Sequence, residues 1–585
     1  MTSNQRSATA LSASADTSSV KPVLAPPVAQ REEDRVVLAG VLESKNNDTK
    51  PLIRQAEDST ETLLNPAQAI ADPYGWMRDE DRKSQQVLDH LTSENEYTKT
   101  MTAHLQPLRD DLYTEMVGSI QETDYTTPYK RDGKFWYYSR TVEGLSYRRY
   151  CRAPIKSTQK DSNSQYIDVQ WDGEATSPIL ENEDVYLDVN ELAKDKSYCS
   201  VSSMALSPDQ TRLAYAVDFS GDEIYSLYVK NLETGETTEV DPSLEVYGSV
   251  SFGSDSNTLY YVKMDEAQRP YQIYRRVLNS DAEEELLFEQ PNELFWSSVS
   301  KTSDRKYMLI STSSSETSEV YYIDLTESTP SPPRCVASAR KKVLYEVDHW
   351  NGYWIINSNV DGTPNMRLMV SPVGEECADQ WKDLELNGEK LFDGGYEKAL
   401  DDAETFANYL VVSGRQDGIP RIWVLPIDVD ASSDFGVTDC TQLTFKEAAN
   451  DVGVGSNLDF DMERLMVHYN SLVTPLQSLE IDMSQPNEAS TRTVLKQKVV
   501  PGYDPNLYSC DRITVTARDG TEIPVSMVYQ SKVMEGFSEG AESVPVHLYG
   551  YGSYGACCEA DFSATRLPLM KRGVVYVCAH VRGGE

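Results

Sequence analysis

The chain has 585 residues and carries 54 Lys and Arg against 93 Asp and Glu, which gives a formal net charge of −39. A surface this acidic repels phosphate backbones and favours cationic ligands, so no nucleic-acid partner is expected. The 35 Tyr and 8 Trp can supply a large core, which excludes global disorder. No apolar run approaches the roughly 18 residues of a membrane span, and the length predicts two to four domains.

Cysteine and histidine usage argues for a reduced protein without metal. The nine cysteines are scattered, odd in number and without a C-x-x-C pair, and there are only six histidines. We therefore expect free thiols, no metal site and no cofactor. The expected location is the cytoplasm. An organelle is the alternative, because Asp16 is the sole acid among the first 31 residues, as in some transit peptides.

The chain opens with a predicted tail and then a helical segment. Residues 1–65 are predicted to be a disordered tail or presequence, because residues 1–30 are rich in Ser, Thr and Ala. Residues 66–127 contain apolar positions that recur near helical spacing: Val87, Leu88, Leu91, Tyr97, Met101, Leu105, Leu108 and Leu112. This pattern predicts two amphipathic helices with an interruption near Pro107, and their apolar stripe must pack on another part of the chain.

Residues 128–497 repeat a unit of strands and polar turns. Seven units begin near Pro128, Met204, Ser249, Ser298, Tyr345, Phe406 and Leu458. A spacing of about 45–75 residues fits the four-stranded blades of a propeller, and turn residues between alternating apolar runs are the hairpin signal. A pair of β-sandwiches is the alternative. A propeller by itself implies no chemistry, because a fold does not give a function.

Residues 498–585 read as the start of an α/β domain. Strands over 513–517 and 523–529 flank a turn and predict a hairpin. The runs Val544–Tyr549 and Val574–Val581 are almost continuously apolar, which predicts parallel strands buried on both faces, with a crossover helix between them in Asp561–Arg572. Two such strands cannot close a sheet, so we expect a domain cut off at Glu585.

Two short motifs in this region match catalytic patterns but lack their context. Gly550–Gly555 matches G-x-G-x-x-G, yet no helix opens at its third glycine, so a tight turn is favoured over a dinucleotide site. Gly536–Gly540 matches G-x-S-x-G around Ser538, but it precedes a strand where a nucleophile elbow follows one. Neither Ser538 nor Ser553 makes a supported triad with Asp561 and His580.

The acids Glu559 and Asp561 lie two residues apart, just after the glycine turn. In extended chain such residues point the same way, so both could face one cationic group. The alternative is a solvated acidic loop in a protein that is acidic throughout.

Several segments together resemble the prolyl oligopeptidase family of serine peptidases, and within it the oligopeptidase B group. They are Asp72–Asp79, Pro107–Tyr113, Leu548–Gly555, Asp561–Leu567 and His580–Gly584. The resemblance covers about residues 66–585. It implies an all-β seven-bladed propeller inserted in an α/β-hydrolase domain, the latter incomplete here, with the helical segment 66–127 packing on the hydrolase segment 498–585.

The resemblance also implies roles for four residues. Tyr551 is expected to donate its hydroxyl to the oxyanion, Glu559 and Asp561 to bind basic residues of the substrate, and Tyr554 to line the pocket near the scissile bond. The implied substrates are short peptides, cleaved after Arg or Lys through an acyl-enzyme.

Two departures from the family pattern limit this implication. The family's serine, acid and histidine would lie beyond Glu585, and its Arg-Gly-Gly-(Gly/Ser)-Glu motif is one residue short at Arg582–Glu585. The chain as written is therefore expected to lack hydrolase activity. A prolyl-specific oligopeptidase and a non-catalytic propeller that binds peptides are the alternatives.

Overall fold

The computed structural model describes residues 25–39, 68–79, 81–156, 167, 169–280, 282–327, 331–375, 377–428, 435–535 and 543–583. They belong to two compact units, Met1–Glu115 and Met116–Glu585. Most of the predicted tail, the Gly536–Gly540 motif with Ser538, and the last two residues of the chain lie outside the described residues.

The first unit contains a short hairpin and the predicted helices. Strands β1 (Val36–Ala39) and β2 (Gln68–Ala71) pair antiparallel. Helix α1 (Gln85–Thr102) is followed by a 3-10 turn (Ala103–Leu105) and by helix α2 (Gln106–Val117). The break thus lies just before Pro107, which stands in the first turn of α2, where a missing N–H costs nothing. Among the described residues, no helix is both long and apolar enough to cross a membrane.

Seven successive antiparallel sheets in the described part of the second unit form the blades. The first three consist of β3 (Asp124–Tyr125), β4 (Tyr129–Arg131), β5 (Phe135–Thr141), β6 (Arg149–Pro154) and β7 (Asp184–Asp188); β8 (Ser200–Leu206), β9 (Arg212–Asp218), β10 (Ser226–Asn231) and β11 (Thr237–Glu239); and β12 (Val246–Phe252), β13 (Thr258–Met264), β14 (Pro270–Val277) and β15 (Glu285–Glu289). The short helix α3 (Val189–Leu192) joins blades 1 and 2.

The remaining four blades have the same meander. They consist of β16 (Trp296–Lys301), β17 (Tyr307–Ser313), β18 (Ser318–Asp324) and β19 (Arg334–Ala337); β20 (Tyr345–Trp350), β21 (Tyr353–Ser358), β22 (Arg367–Pro372) and β23 (Lys382–Asp383); β26 (Lys398–Thr405), β27 (Tyr409–Gln416), β28 (Ile419–Pro426) and β29 (Thr441–Gln442); and β30 (Asn450–Val454), β31 (Arg464–Ser471), β32 (Gln477–Asp482) and β33 (Thr493–Gln497). A two-stranded hairpin, β24 (Glu385–Leu386) with β25 (Glu389–Lys390), precedes blade 6.

The number of units predicted from the sequence is correct, but the starts of the last two are wrong. Blade 6 begins at Lys398 and blade 7 at Asn450, whereas the predicted starts were Phe406 and Leu458. The first strand of blade 6 carries several acids, and that of blade 7 contains glycine. Neither strand therefore shows the apolar alternation from which strands are predicted.

Side chains close the ring between blades 1 and 7. In the described strands these two sheets share no ladder. Lys496 Nζ instead lies 2.6 Å from Asp124 Oδ1, and the Asp132 N–H donates to Asp459 Oδ1 at 2.7 Å. Arg305, from the first turn of blade 4, reaches across to pair with Asp132 and donates to the Leu458 carbonyl at 2.7 Å. This arginine thus links blade 4 to blades 1 and 7.

The C-terminal segment is a mixed sheet. Its strands β34 (Tyr508–Thr516), β35 (Glu522–Gln530), β36 (Val546–Gly550) and β37 (Val575–Ala579) lie in the order β34-β35-β37-β36, with β36 and β37 parallel. Helix α4 (Ser531–Glu535) follows β35, and α5 (Leu567–Lys571) is the short crossover between β36 and β37. Val528, Leu567, Tyr576 and Cys578 belong to the hydrophobic core of this segment.

The predicted burial of β36 on both faces is wrong. Val546 and Leu548 are 56% and 65% exposed, because in the described sheet β36 is the edge strand and pairs with β37 alone. The strand β37 is buried as predicted. The apolar run that follows Val544 therefore reports a parallel strand correctly, but not its depth in the sheet.

Candidate active site

The glycine turn after β36 is held by close backbone contacts. A Cβ added to Gly552 would lie 2.5 Å from the carbonyl oxygen of Arg582. The N–H of Gly555, a residue with φ of +72°, donates to the Gly583 carbonyl at 3.1 Å. Glycine is needed at both positions, at Gly552 for the close approach and at Gly555 for the left-handed backbone. No helical turn begins until the 3-10 turn Ala564–Arg566 that leads into α5, which agrees with a tight turn and not with a dinucleotide site.

Tyr551 and the two predicted acids line one cavity. The cavity has a volume of about 660 Å³, and Tyr551, Glu559 and Asp561 all contribute to its wall. Tyr551 is 44% exposed. Tyr554 is fully exposed at the tip of the turn, with a φ of +58°, and its place beside a scissile bond stays a prediction. The two acids and the predicted tyrosine therefore share the wall of one cavity, and their roles stay predictions.

Each predicted acid already has an arginine partner in this chain. Both Glu559 oxygens accept from Arg415, at the end of β27, with Nη2–Oε1 2.5 Å and Nη1–Oε2 3.3 Å. Asp561 Oδ1 lies 2.8 Å from Arg566 Nη2, and Arg566 Nη1 donates to the Asp561 carbonyl at 2.6 Å. The arginine of the second pair stacks over the Tyr576 ring at 4.2 Å. The two acids are thus positioned by different cations.

A third acid, Asp451 of blade 7, lines the same cavity. Its carboxylate accepts from Asn470 Nδ2 at 3.0 Å, and Asn470 Oδ1 accepts from the Phe562 N–H at 2.8 Å. Burial raises the pKa of Asp451, and the charges of Glu559 and Asp561 raise it further. In the part of the chain that the structure describes, no lysine or arginine lies within salt-bridge distance of it. The sequence offered no signal for this residue, because a distant strand brings it here.

In the described part of the chain, His580 pairs with neither Ser553 nor Asp561, and Ser538 lies outside the described residues. His580 Nε2 lies 2.8 Å from Ser526 Oγ, and its Nδ1 lies 2.9 Å from the Cys558 carbonyl. Asp561 is engaged elsewhere, as described above. Ser526 is completely buried, so no substrate can reach its hydroxyl. Burial lowers the pKa of His580, and the Arg512 charge lowers it further, so the imidazole is a neutral structural group.

A second, smaller cavity adjoins the first. It has a volume of about 240 Å³, and Tyr551, Arg415, Cys557 and His580 are among the residues that line it. Because Tyr551 contributes to both walls, this tyrosine stands between the two cavities. Carboxylates line both of them, namely Glu397, Asp417 and Glu522 in the smaller cavity and Asp451, Glu559 and Asp561 in the larger one.

Comparison with known proteins identifies related chains. The family model described as "Prolyl oligopeptidase, N-terminal beta-propeller domain" matches residues 51–494. The chain is 33% identical over 523 residues to "Dipeptidyl aminopeptidase BI" of Pseudoxanthomonas mexicana, covering 88% of this chain and 66% of that protein. It is 30% identical over 519 residues to "Protease 2" of Moraxella lacunata, covering 88% and 68%. It thus spans about two thirds of the length of these relatives.

Solved structures support the same relationship. Oligopeptidase B from Leishmania major superposes with a TM-score of 0.78 at 29% identity, covering 96% of this chain and 72% of that one. Oligopeptidase B from Trypanosoma brucei, with covalently bound antipain in a closed form, gives 0.77 at 30% identity over the same shares. The predicted fold class, a propeller joined to an α/β-hydrolase segment, is confirmed.

Proposed function

Because the chain belongs to the prolyl oligopeptidase family of serine peptidases, we propose that it forms the propeller and the substrate-binding part of an enzyme that hydrolyses short peptides after Arg or Lys. The observation that carries the proposal is the cavity in which Tyr551 stands beside Glu559 and Asp561. A phenol that can donate and carboxylates that can accept a cation meet there, at the tip of a parallel strand.

Each group has a distinct role in this proposal. Tyr551 donates its hydroxyl to the negative charge that develops on the scissile carbonyl oxygen. One such donor typically lowers the barrier by about 3–4 kcal/mol. The carboxylates bind the guanidinium or ammonium group of the substrate by charge-assisted hydrogen bonds. Since these bonds form far from the reacting carbonyl, they fix the register of the peptide.

The charge of the whole chain supports the same substrate class. A net charge of −39 raises the local concentration of basic peptides and speeds their encounter with the site, and salt screens this effect. Acidic peptides are repelled. The acidity therefore selects for basic peptides before any contact is made.

A pair of reporter peptides tests the proposal. The product of the reading frame continued past codon 585 is assayed with benzyloxycarbonyl-Arg-Arg and benzyloxycarbonyl-Gly-Pro reporters. We expect turnover of the Arg-Arg reporter only. Faster turnover of the Gly-Pro reporter would support the prolyl-specific alternative and overturn the basic preference.

We further propose that the 585-residue chain binds peptides without hydrolysing them. The family pattern puts the serine, acid and histidine beyond Glu585. Ser526 is buried, and its partner His580 faces a backbone carbonyl in place of a carboxylate. Binding without turnover is measured by the fluorescence anisotropy of a labelled Arg-Arg peptide, with the isosteric, neutral citrulline peptide as the control. Hydrolysis of the Arg-Arg reporter by the 585-residue chain would refute this part of the proposal.

A second candidate function comes from the 33% identical relative, whose name is dipeptidyl aminopeptidase. In an enzyme that removes dipeptides, the free α-ammonium group of the substrate would be the cation held by Glu559 and Asp561. Blocking the N-terminus distinguishes the two functions. An acetyl cap abolishes cleavage by a dipeptidyl aminopeptidase, whereas it leaves cleavage after an internal Arg unchanged.

A further inference from the structure

One side of the cation-binding region is already occupied by an arginine of the propeller. Arg415 ends β27, and its two terminal nitrogens engage the two oxygens of Glu559. The side chains of this pair are only 20% and 25% exposed. A bidentate, half-buried pair of this kind is stronger and more directional than an exposed one.

Arg415 presents the same chemical group as the substrate side chain in the proposed function. A carboxylate whose two oxygens are both engaged has little capacity left for a second bidentate guanidinium. A substrate arginine can therefore bind Glu559 in the same way only after Arg415 has moved off it.

Asp401 offers Arg415 a second partner. Its Oδ2 lies 3.9 Å from Arg415 Nε, on the neighbouring strand β26. The register of β26 against β27 shifts between Leu400 and Asp402, so Asp401 is the extra residue of a bulge. Burial raises the pKa of Asp401, and the Arg415 charge opposes that rise. A guanidinium released from Glu559 thus stays beside a carboxylate and is not left unpaired, which lowers the cost of displacing it.

We propose that Arg415 is an internal competitor for the basic side chain of the substrate, which moves from Glu559 towards Asp401 when a substrate arginine binds. The inference rests on the proposed function, because it assumes that Glu559 receives the substrate cation. Since Arg415 belongs to blade 6 and Glu559 to the C-terminal segment, substrate binding also breaks an ion pair between these two parts of the second unit. A basic peptide that binds weakly therefore leaves the Arg415–Glu559 ion pair intact, whereas one that binds tightly breaks it.

Binding of labelled Arg-Arg and citrulline-citrulline peptides to the full 585-residue chain tests the proposal. Arg415→Met keeps the apolar stem of the side chain and removes the competitor. We expect it to bind the Arg-Arg peptide about threefold to tenfold more tightly, the range of a modest ion pair, and the citrulline peptide as the wild type does. Equal or weaker binding of the Arg-Arg peptide would overturn the proposal, because Arg415 would then only hold Glu559 in place. Arg415→Gln, with its melting temperature measured, guards against a folding defect.

A double-mutant cycle tests the second position. Asp401→Asn should weaken Arg-Arg binding more than the matched control Asp402→Asn, which removes the same charge one residue along, where the carboxylate accepts from the Ala403 N–H. In the Arg415→Met background, Asp401→Asn and Asp402→Asn should weaken Arg-Arg binding equally, because no Arg415 guanidinium is left for Asp401 to bind. An Asp401→Asn effect that stays larger than the control in that background refutes the second position.

Failure of the proposed function gives a different result. If the wild type binds the citrulline and Arg-Arg peptides equally and Glu559→Gln changes neither, Glu559 does not receive the substrate cation. If instead the wild type prefers the Arg-Arg peptide and Glu559→Gln weakens it, but Arg415→Met does not strengthen it, the proposed function stands and the competitor role is refuted.

Discussion

Gly552 is a position at which the candidate site is expected to be sensitive to a single added methyl group. In Gly552→Ala the new Cβ would lie 2.5 Å from the Arg582 carbonyl oxygen and 2.8 Å from Val581 Cγ2. The oxygen belongs to backbone, so the turn itself must shift by several tenths of an ångström. Such overpacking costs about 1–3 kcal/mol. Because Tyr551 is the preceding residue, the same shift moves its phenol away from the oxyanion position that we propose for it.

Hydrogen exchange of the segment from β36 to Gly583 measures the cost locally. The Gly555 amide, which donates to the Gly583 carbonyl, should exchange about tenfold to a hundredfold faster in Gly552→Ala, because each 1.4 kcal/mol is a factor of about ten. Gly550→Ala is the matched control: its Cβ meets the Ala579 carbonyl oxygen at 3.3 Å, which a small adjustment relieves. Equal exchange in the two variants would refute the steric argument.

Three further predictions concern the site and the propeller. Replacing Glu559 by Gln and Asp561 by Asn together should weaken binding of an Arg-Arg peptide by more than about tenfold, because charge-assisted hydrogen bonds are lost. Binding of the citrulline peptide should not change, and an equal loss for both peptides would contradict the prediction. Arg305→Ala should lower the melting temperature by about 1–3 °C at low salt and by less in about 1 M salt, because the Arg305–Asp132 ion pair is partly exposed and salt screens it. A decrease that does not depend on salt would assign the effect to packing. The buried His349 Nδ1 lies 2.7 Å from Asp304 Oδ2, and although burial opposes it, the histidine hydrogen bond lowers the pKa of Asp304. This stabilisation is complete above the ordinary aspartate pKa of about 4 and is lost as the pH falls through the lower pKa of the folded state. In Asp304→Asn the free energy of unfolding, measured by urea titration, should therefore fall less below about pH 4 than it does in the wild type. An unchanged dependence on acid pH would refute this prediction.

How far the sequence predicts the propeller depends on which strand of a blade is considered. The second strands of blades 2, 3 and 4, Arg212–Asp218, Thr258–Met264 and Tyr307–Ser313, are rich in buried apolar residues, so the sequence pattern predicts them as strands. The first strands of blades 2, 3, 4 and 6 instead contribute to a cavity of about 630 Å³, so some of their side chains face polar surroundings. Glu404 lines it, and burial raises its pKa to about 7. A strand with charged residues on such a face has no apolar period to detect, which explains the late predicted start of blade 6. The first strand of blade 7, Asn450–Val454, is short and contains glycine, so it too lacks a clear apolar period.

The candidate site was predictable only where its residues are neighbours in the chain. Tyr551, Glu559 and Asp561 follow the same strand in the sequence, and all three reach the wall of one cavity. Arg415 is 144 residues from its partner Glu559, and Asp451 comes from a different blade. Their positions follow from how the propeller and the C-terminal segment pack within the second unit, which no local pattern encodes.

The ion pairs separate two effects that the acidic composition alone would confuse. Asp451, Glu559, Asp561 and Arg566 line the larger cavity, and Arg415 pairs with Glu559 and lies near Asp401. When all six groups are ionised, these four carboxylates and two guanidinium groups carry an excess of 4 − 2 = 2 negative charges. At physiological salt, charges more than about 8 Å away are largely screened. The remaining acidic residues therefore accelerate the approach of a basic peptide but hardly affect how long it stays. Residence depends on the local excess, and hence on whether the arginines of the chain give way to those of the substrate.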